Sequence, residues 1–170
     1  MARIVILDTS FLLELFNVPG DSTPERHDSA RELFQQAIIE GYDVYCPLSV
    51  LYELANHIVD IKNSAKRREI AELFQDTVLS AWEERTPFSI IPSECVSGEY
   101  HDLSALPQLC HEYRENISQG LGLTDCTIID VARKIKENYH SRLRKWPAHI
   151  WTLQQALKAM EPDAFDHDIY

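Results

Sequence analysis

A chain of 170 residues, 45% hydrophobic and 25% charged, is long enough to bury one core and has the balance of an ordinary globular domain, which excludes a disordered or low-complexity chain. The formal net charge of -11 argues against generic nucleic-acid binding through bulk charge, and no apolar run reaches the length of a membrane span. Cys46, Cys95, Cys110 and Cys126 include no C-x-x-C pair, which speaks against a zinc site; reduced, buried thiols and a cytoplasmic home are expected.

Arg3 to Leu7 is a short apolar run without alternation, the pattern of a strand buried on both faces. Asp8 cuts that run short and no small-residue cleavage site follows, so it reads as a first strand and not as a signal peptide. Thr9-Ser10 offers a cap for a short helix over Phe11 to Phe16, and the turn Asn17 to Asp21 ends it. Glu25 to Glu40 has helical spacing through Ala30, Leu33, Phe34, Ala37 and Ile38, with Gly41 as its C-terminal cap. Asp43 to Cys46 is a second strand closed by Pro47, and Ser49 is placed to cap a helix over Val50 to Ile61. Asn63-Ser64 caps a long helix with Ile70, Leu73, Phe74, Thr77, Val78 and Trp82 on one side. Phe88 to Ile91 is a third strand. Leu103 to Ile117 is helical with a break at Pro107, and Thr124 caps a helix running to about Tyr139. His149 to Thr152 is the last strand and Leu153 to Met160 the last helix. Strands alternating with helices predict one domain over 1–170, a three-layer α/β/α sandwich with a mainly parallel central sheet.

In such sheets chemistry collects at the carboxyl ends of strands. Three acids fall at such points: Asp8 just after the first strand, Glu53 on the first turn of the helix after the second, and Asp125 at the start of a later helix. Each also has a plainer role available. Asp8 would cap the turn after it, Glu53 would close a loose capping box with Ser49, and an acid in the first turn suits the helix macrodipole at Asp125. Clustered carboxylates repel and raise one another's pKa, so they tolerate proximity best around a cation. Hard oxygen donors suit Mg²⁺ or Mn²⁺, and a metal so held favours phosphodiester hydrolysis.

The segments Ile4-Val5-Ile6-Leu7-Asp8-Thr9-Ser10, Leu51-Tyr52-Glu53-Leu54 and Leu123-Thr124-Asp125-Cys126-Thr127-Ile128-Ile129 resemble, in order and rough spacing, the three acidic blocks of the PIN-domain family. The resemblance covers about Arg3 to Leu157 and implies a metal-dependent ribonuclease acting on RNA. Many bacterial members are toxins silenced by an antitoxin protein, and members often form homodimers. On this reading Asp8 and Asp125 are direct ligands of the metal, and Glu53 binds a second ion or orients the attacking water. Thr9, Ser10, Thr152 and Gln154 would hold metal-bound waters. The family often carries a fourth acid after the last strand, where this chain has Gln154. Asp130, five residues past Asp125, lies well off its helical face.

The Lys and Arg residues are unevenly placed. Arg133, Lys134, Lys136, Arg142, Arg144 and Lys145 form a cluster that would serve either as a solvated helix face or as a phosphate track that positions RNA without reading its sequence, with Tyr139, His140 and Trp146 available to stack bases. Against the ribonuclease reading stands a degenerate domain that binds RNA or protein without cutting, which Gln154 favours. A haloacid-dehalogenase-like phosphatase fits poorly, because Ser10 stands where that class carries a second aspartate.

Overall fold

A strand whose side chains are apolar on both faces needs cover on both faces, and the segment Ile4–Leu7 (β1) has all four side chains fully buried. The computed structural model describes residues 3–91, 102–138, 146–165, 167 and 170. After β1 come α1 (Thr9–Leu15), α2 (Pro24–Ile39), β2 (Asp43–Pro47), α3 (Leu48–Val59), α4 (Ser64–Glu84) and β3 (Ser89–Ile91). The second half holds α5 (Asp102–Asn116), a 3-10 turn at Ile117–Gln119, α6 (Leu123–Asn138), β4 (Ala148–Trp151) and α7 (Gln155–Lys158). The four strands form one parallel sheet in the order β3-β2-β1-β4, with Ile6 level with both Tyr45 and Ile150, and helices flank it as a three-layer α/β/α sandwich. Among the described residues no helix is long and apolar enough to cross a membrane.

The edge strand β4 is finished by the acidic C-terminal stretch. Asp163 accepts from the Ala148 N–H at 2.8 Å and its own N–H donates to the Ala148 carbonyl. Glu161 accepts from the Ile150 N–H at 3.0 Å. Carboxylates thus occupy backbone donors that a further strand would otherwise have taken.

Helix ends explain where the boundaries fall. Thr23 caps α2 with Pro24 at its first position, and Gly41, at φ +68°, ends it: the Tyr42 N–H reaches the Ala37 carbonyl and the Gly41 N–H the Ile38 carbonyl, as the predicted glycine cap requires. Asn63 caps α4 by accepting from the Ala65 and Lys66 N–H groups, each at 3.0 Å.

Other expectations are corrected. α1 starts at Thr9, and its cap is Asp8, not Thr9-Ser10. α3 follows β2 directly from Pro47 without a side-chain cap, so Ser49 lies inside the helix and its buried Oγ has no partner among the described residues. α5 runs through Pro107 unbroken. α6 begins at Leu123, which puts Thr124 within its first turn. α7 is a single turn, shorter than Leu153 to Met160. Cys46 and Cys126 are buried free thiols as predicted, but Cys110 is exposed on α5; Cys95 lies outside the described residues. On α4 the buried positions are Ile70 and Ala81, while Trp82 and Leu73 face solvent.

Candidate metal centre

Strand order decides where the crevice lies. The chain proceeds from β1 through β2 to β3 on one side and then returns to place β4 on the other side of β1. The carboxyl ends of β1 and β4 therefore flank the point where the order reverses, the position at which open parallel sheets bind ligands. Leu7 is level with Trp151, so Asp8 and Thr152 emerge side by side, and the Asp8 N–H continues the ladder to the Trp151 carbonyl at 3.2 Å.

Asp8 is buried, and a buried carboxylate must be hydrogen-bonded to be tolerated. Its Oδ2 accepts from the Thr152 hydroxyl at 2.7 Å, the Ser10 hydroxyl at 2.6 Å and the Ser10 N–H at 3.3 Å. The two hydroxyls are fixed in turn: Ser10 Oγ accepts from the Leu153 N–H, and Thr152 Oγ1 from the Gln154 N–H. All of these bonds fall on one oxygen, and Oδ1 takes none among the described residues. Asp8 is thus both a helix cap and the best-braced carboxylate of the site.

Glu53 lies past the first turn of α3, which begins at Leu48 and not near Val50, and it does not close a capping box with Ser49. Its Oε2 accepts from the Thr9 hydroxyl at 2.8 Å, which ties α3 to the residue beside Asp8. Asp125 sits at the third position of α6 and its Oδ2 accepts from the Gly122 N–H at 2.6 Å, the half of a capping box in which the acid reaches back to the helix start. The Gln154 side chain hydrogen-bonds Asp125 and also donates to the Gly120 carbonyl at 3.0 Å.

Asp125 feels the other two acids. Asp125 has its pKa raised, first by burial and then by the charges of Asp8 and Glu53, against the lowering hydrogen bonds from Gly122 and Gln154. Beneath the site, burial and the Asp8 charge push the Cys46 thiol far up, so it stays protonated and inert. Among the described residues no three His, Cys, Asp or Glu side chains close into a ready coordination group. The donor set nonetheless fits a hard divalent cation: it is all oxygen, and Asp8 and Glu53 each commit one oxygen to a hydroxyl and leave the other.

A raised carboxylate pKa has a definite sign in stability. Between the unfolded and folded values the folded chain holds more protons, so stability falls as pH rises through that window, and at neutral pH the ionised Asp125 opposes folding. Asp125→Asn keeps an oxygen for the Gly122 N–H and removes the repulsion. Without added metal its melting temperature at pH 7 is expected to exceed wild type, with the gain shrinking as pH falls through the raised native value and gone below the ordinary carboxylate value of about 3.9, where the unfolded carboxyl is protonated too. A thermal melt at both pH values checks this, and a lower melting temperature at pH 7 would contradict it.

The other predicted residues are placed elsewhere. Asp130 pairs with Lys134 at 2.6 Å, Lys136 with Asp163 at 2.6 Å, and Arg133 approaches Glu112 at 4.0 Å. Three members of the proposed phosphate track thus face acids of their own chain. Arg142, Arg144, Lys145, Tyr139 and His140 lie outside the described residues, and Trp146 packs against the core. The sequence reading missed Gly122 and the two roles of Gln154. It also missed Glu14, a fully buried carboxylate that accepts from Ser22 Oγ at 2.6 Å and lies 3.6 Å from Arg26, bracing the connection from α1 to α2. Comparison with protein-family models and with curated proteins finds no match for this sequence, so the site stands on its own geometry and chemistry.

Proposed function

We propose that the chain is a Mg²⁺- or Mn²⁺-dependent endoribonuclease that hydrolyses RNA phosphodiester bonds at the crevice between β1 and β4. The observation that supports this reading best is the convergence of Asp8, Glu53 and Asp125, from three separate elements, near enough for the first two to raise the pKa of the third. Such a cluster is a cost to the fold unless positive charge is supplied. Asp8 and Asp125 would hold the cation, and Glu53 would hold a second ion or orient the attacking water. A divalent cation there supplies polarisation of the phosphate and a more acidic water. The chain's own part is positional: Thr152 and Ser10 fix Asp8, Thr9 fixes Glu53, and the Gly122 N–H fixes Asp125. The choice of RNA over other phosphodiesters comes from the resemblance to PIN domains, as does a role as a toxin with an antitoxin partner.

Gln154 favours a second reading, a non-catalytic RNA- or protein-binding module, because an amide stands beside Asp125 where a fourth acid would add charge. Cleavage of a mixed RNA substrate with Mn²⁺, with and without a chelator, separates the two. The ribonuclease reading predicts chelator-sensitive cleavage by wild type. An inert wild type with activity gained in Gln154→Asp would favour the second reading, and inertness of both would sink the first.

A further inference from the structure

We propose that a small apolar cavity beside the acids takes one pyrimidine base of a single-stranded RNA, next to the phosphate held at the metal. The inference rests on the ribonuclease reading above and names the part of the substrate that the same edge of the sheet would grip. The cavity has a volume of about 130 Å³ and is walled by Leu48 and Ser49 of α3, Ile91 at the end of β3, Leu109 of α5, and Leu123 and Val131 of α6. Leu48 follows β2 directly and Pro47 is level with Ile91, so the cavity lies at the carboxyl edge of the sheet, the edge that carries Asp8. β3 is two strands from β1, about 10 Å at the usual strand spacing. Two helices serve both places: α3 gives Ser49 to the cavity and Glu53 to the acids, and α6 gives Leu123 and Asp125.

Size and polarity select the occupant. An apolar cavity of about 150 Å³ holds a single six-membered ring, so this one suits a pyrimidine and is small for the fused rings of a purine. Its aliphatic walls match the faces of a base, yet they include two hydroxyls. Ser49 Oγ is buried with no partner among the described residues, a cost to the fold that a bound base edge would offset. Thr127 Oγ1 gives its proton to the Leu123 carbonyl at 3.1 Å and keeps its lone pairs to accept. A uracil edge, with C=O and N–H side by side, offers an acceptor to the first and a donor to the second. Tyr52 stands over the α3 wall: in rotation about the helix it falls between Leu48 and Ser49, with Glu53 next, and its side chain is 65% exposed. A ring so placed gives a neighbouring base a surface to stack on. Base contacts also answer a difficulty of charge. The chain carries a net -11, and Arg133, Lys134 and Lys136 each face an acid of their own chain, so a hold on the bases does what these cations do not do for the phosphates.

Fluorescence anisotropy on the full chain tests this, with labelled hexauridylate and hexaadenylate and a chelator present so that nothing is cut. Wild type is expected to bind hexauridylate at least about tenfold more tightly. Leu106 lines the cavity from α5, an element that carries none of the acids, and is 42% exposed, so Leu106→Trp is expected to close the cavity, abolish the preference and keep the circular dichroism of wild type. Ser49→Ala is expected to reduce the preference by about threefold, the worth of one hydroxyl hydrogen bond, without lowering the melting temperature of the free chain. Equal binding of the two hexamers, binding of neither, or a preference that survives Leu106→Trp would overturn the proposal and leave the cavity to an apolar side chain of a protein. A uridylate preference without cleavage in Mn²⁺ would uphold the base site and sink the ribonuclease reading; chelator-sensitive cleavage without the preference would do the reverse.

Discussion

Asp8→Asn is expected to lower metal-dependent RNA cleavage by on the order of a thousandfold while leaving the fold intact. Removing one anionic ligand forfeits several kcal/mol of charge stabilisation, and each 1.36 kcal/mol is a factor of ten in rate. The fold survives because the asparagine oxygen still accepts from Ser10 and Thr152, and its position as the cap of α1 is kept. The same change in a residue that only caps a helix would cost a few tenths of a kcal/mol and leave cleavage unaltered. Single-turnover kinetics with a parallel thermal melt distinguish the two, and cleavage within tenfold of wild type would remove Asp8 from the site.

Phe11→Ala is expected to destabilise the chain by about 3–5 kcal/mol, the usual cost of emptying a buried aromatic site. Phe11 is fully buried, with ring centroids 5.0 Å from Trp151, 4.8 Å from Tyr170 and 6.2 Å from Phe34. It joins α1, α2, the end of β4 and the last residue of the chain, so no single neighbour can fill the space left behind. Such a loss is a large part of a typical domain's stability. Because Phe11 follows Asp8 by three residues on the same helix start, the variant is also expected to bind metal less tightly. Urea unfolding measures the first effect, and a change below 1 kcal/mol would mean that the aromatic group relaxes around the gap or contributes little.

Much of the architecture could be read from residues because the signals were local. The unbroken apolar run Ile4 to Leu7 can only be a strand covered on both faces, and Gly41 supplies the positive φ that a Schellman ending needs. Asp8 and Asp125 were legible for a similar reason: the position of a residue just past a parallel strand or in a first helical turn is fixed by the element, whereas Glu53 lies further along α3 than the sequence suggested. What bonds them was not. Thr9 to Glu53 spans 44 residues and Thr152 to Asp8 spans 144, and no pattern along the chain announces such pairs. The helix starts misled where two capping residues competed. Thr124 looked the better cap, yet the chain uses Asp125 and the Gly122 N–H. On α4 apolarity alone could not tell which residues turn inward, and Trp82 and Leu73 were placed on one side with Ile70 although they face solvent. The acidic C-terminal stretch was visible as composition, but its use against the edge of β4 depends on pairing that only the fold creates.

Titration calorimetry with Mn²⁺, on wild type and on a variant carrying both Asp8→Asn and Asp125→Asn, tests the metal site most directly. The reading of Asp8, Glu53 and Asp125 as one carboxylate site predicts saturable binding by wild type and none by the double variant, with both folded. Equal heats for the two proteins, or no binding by wild type, would contradict it.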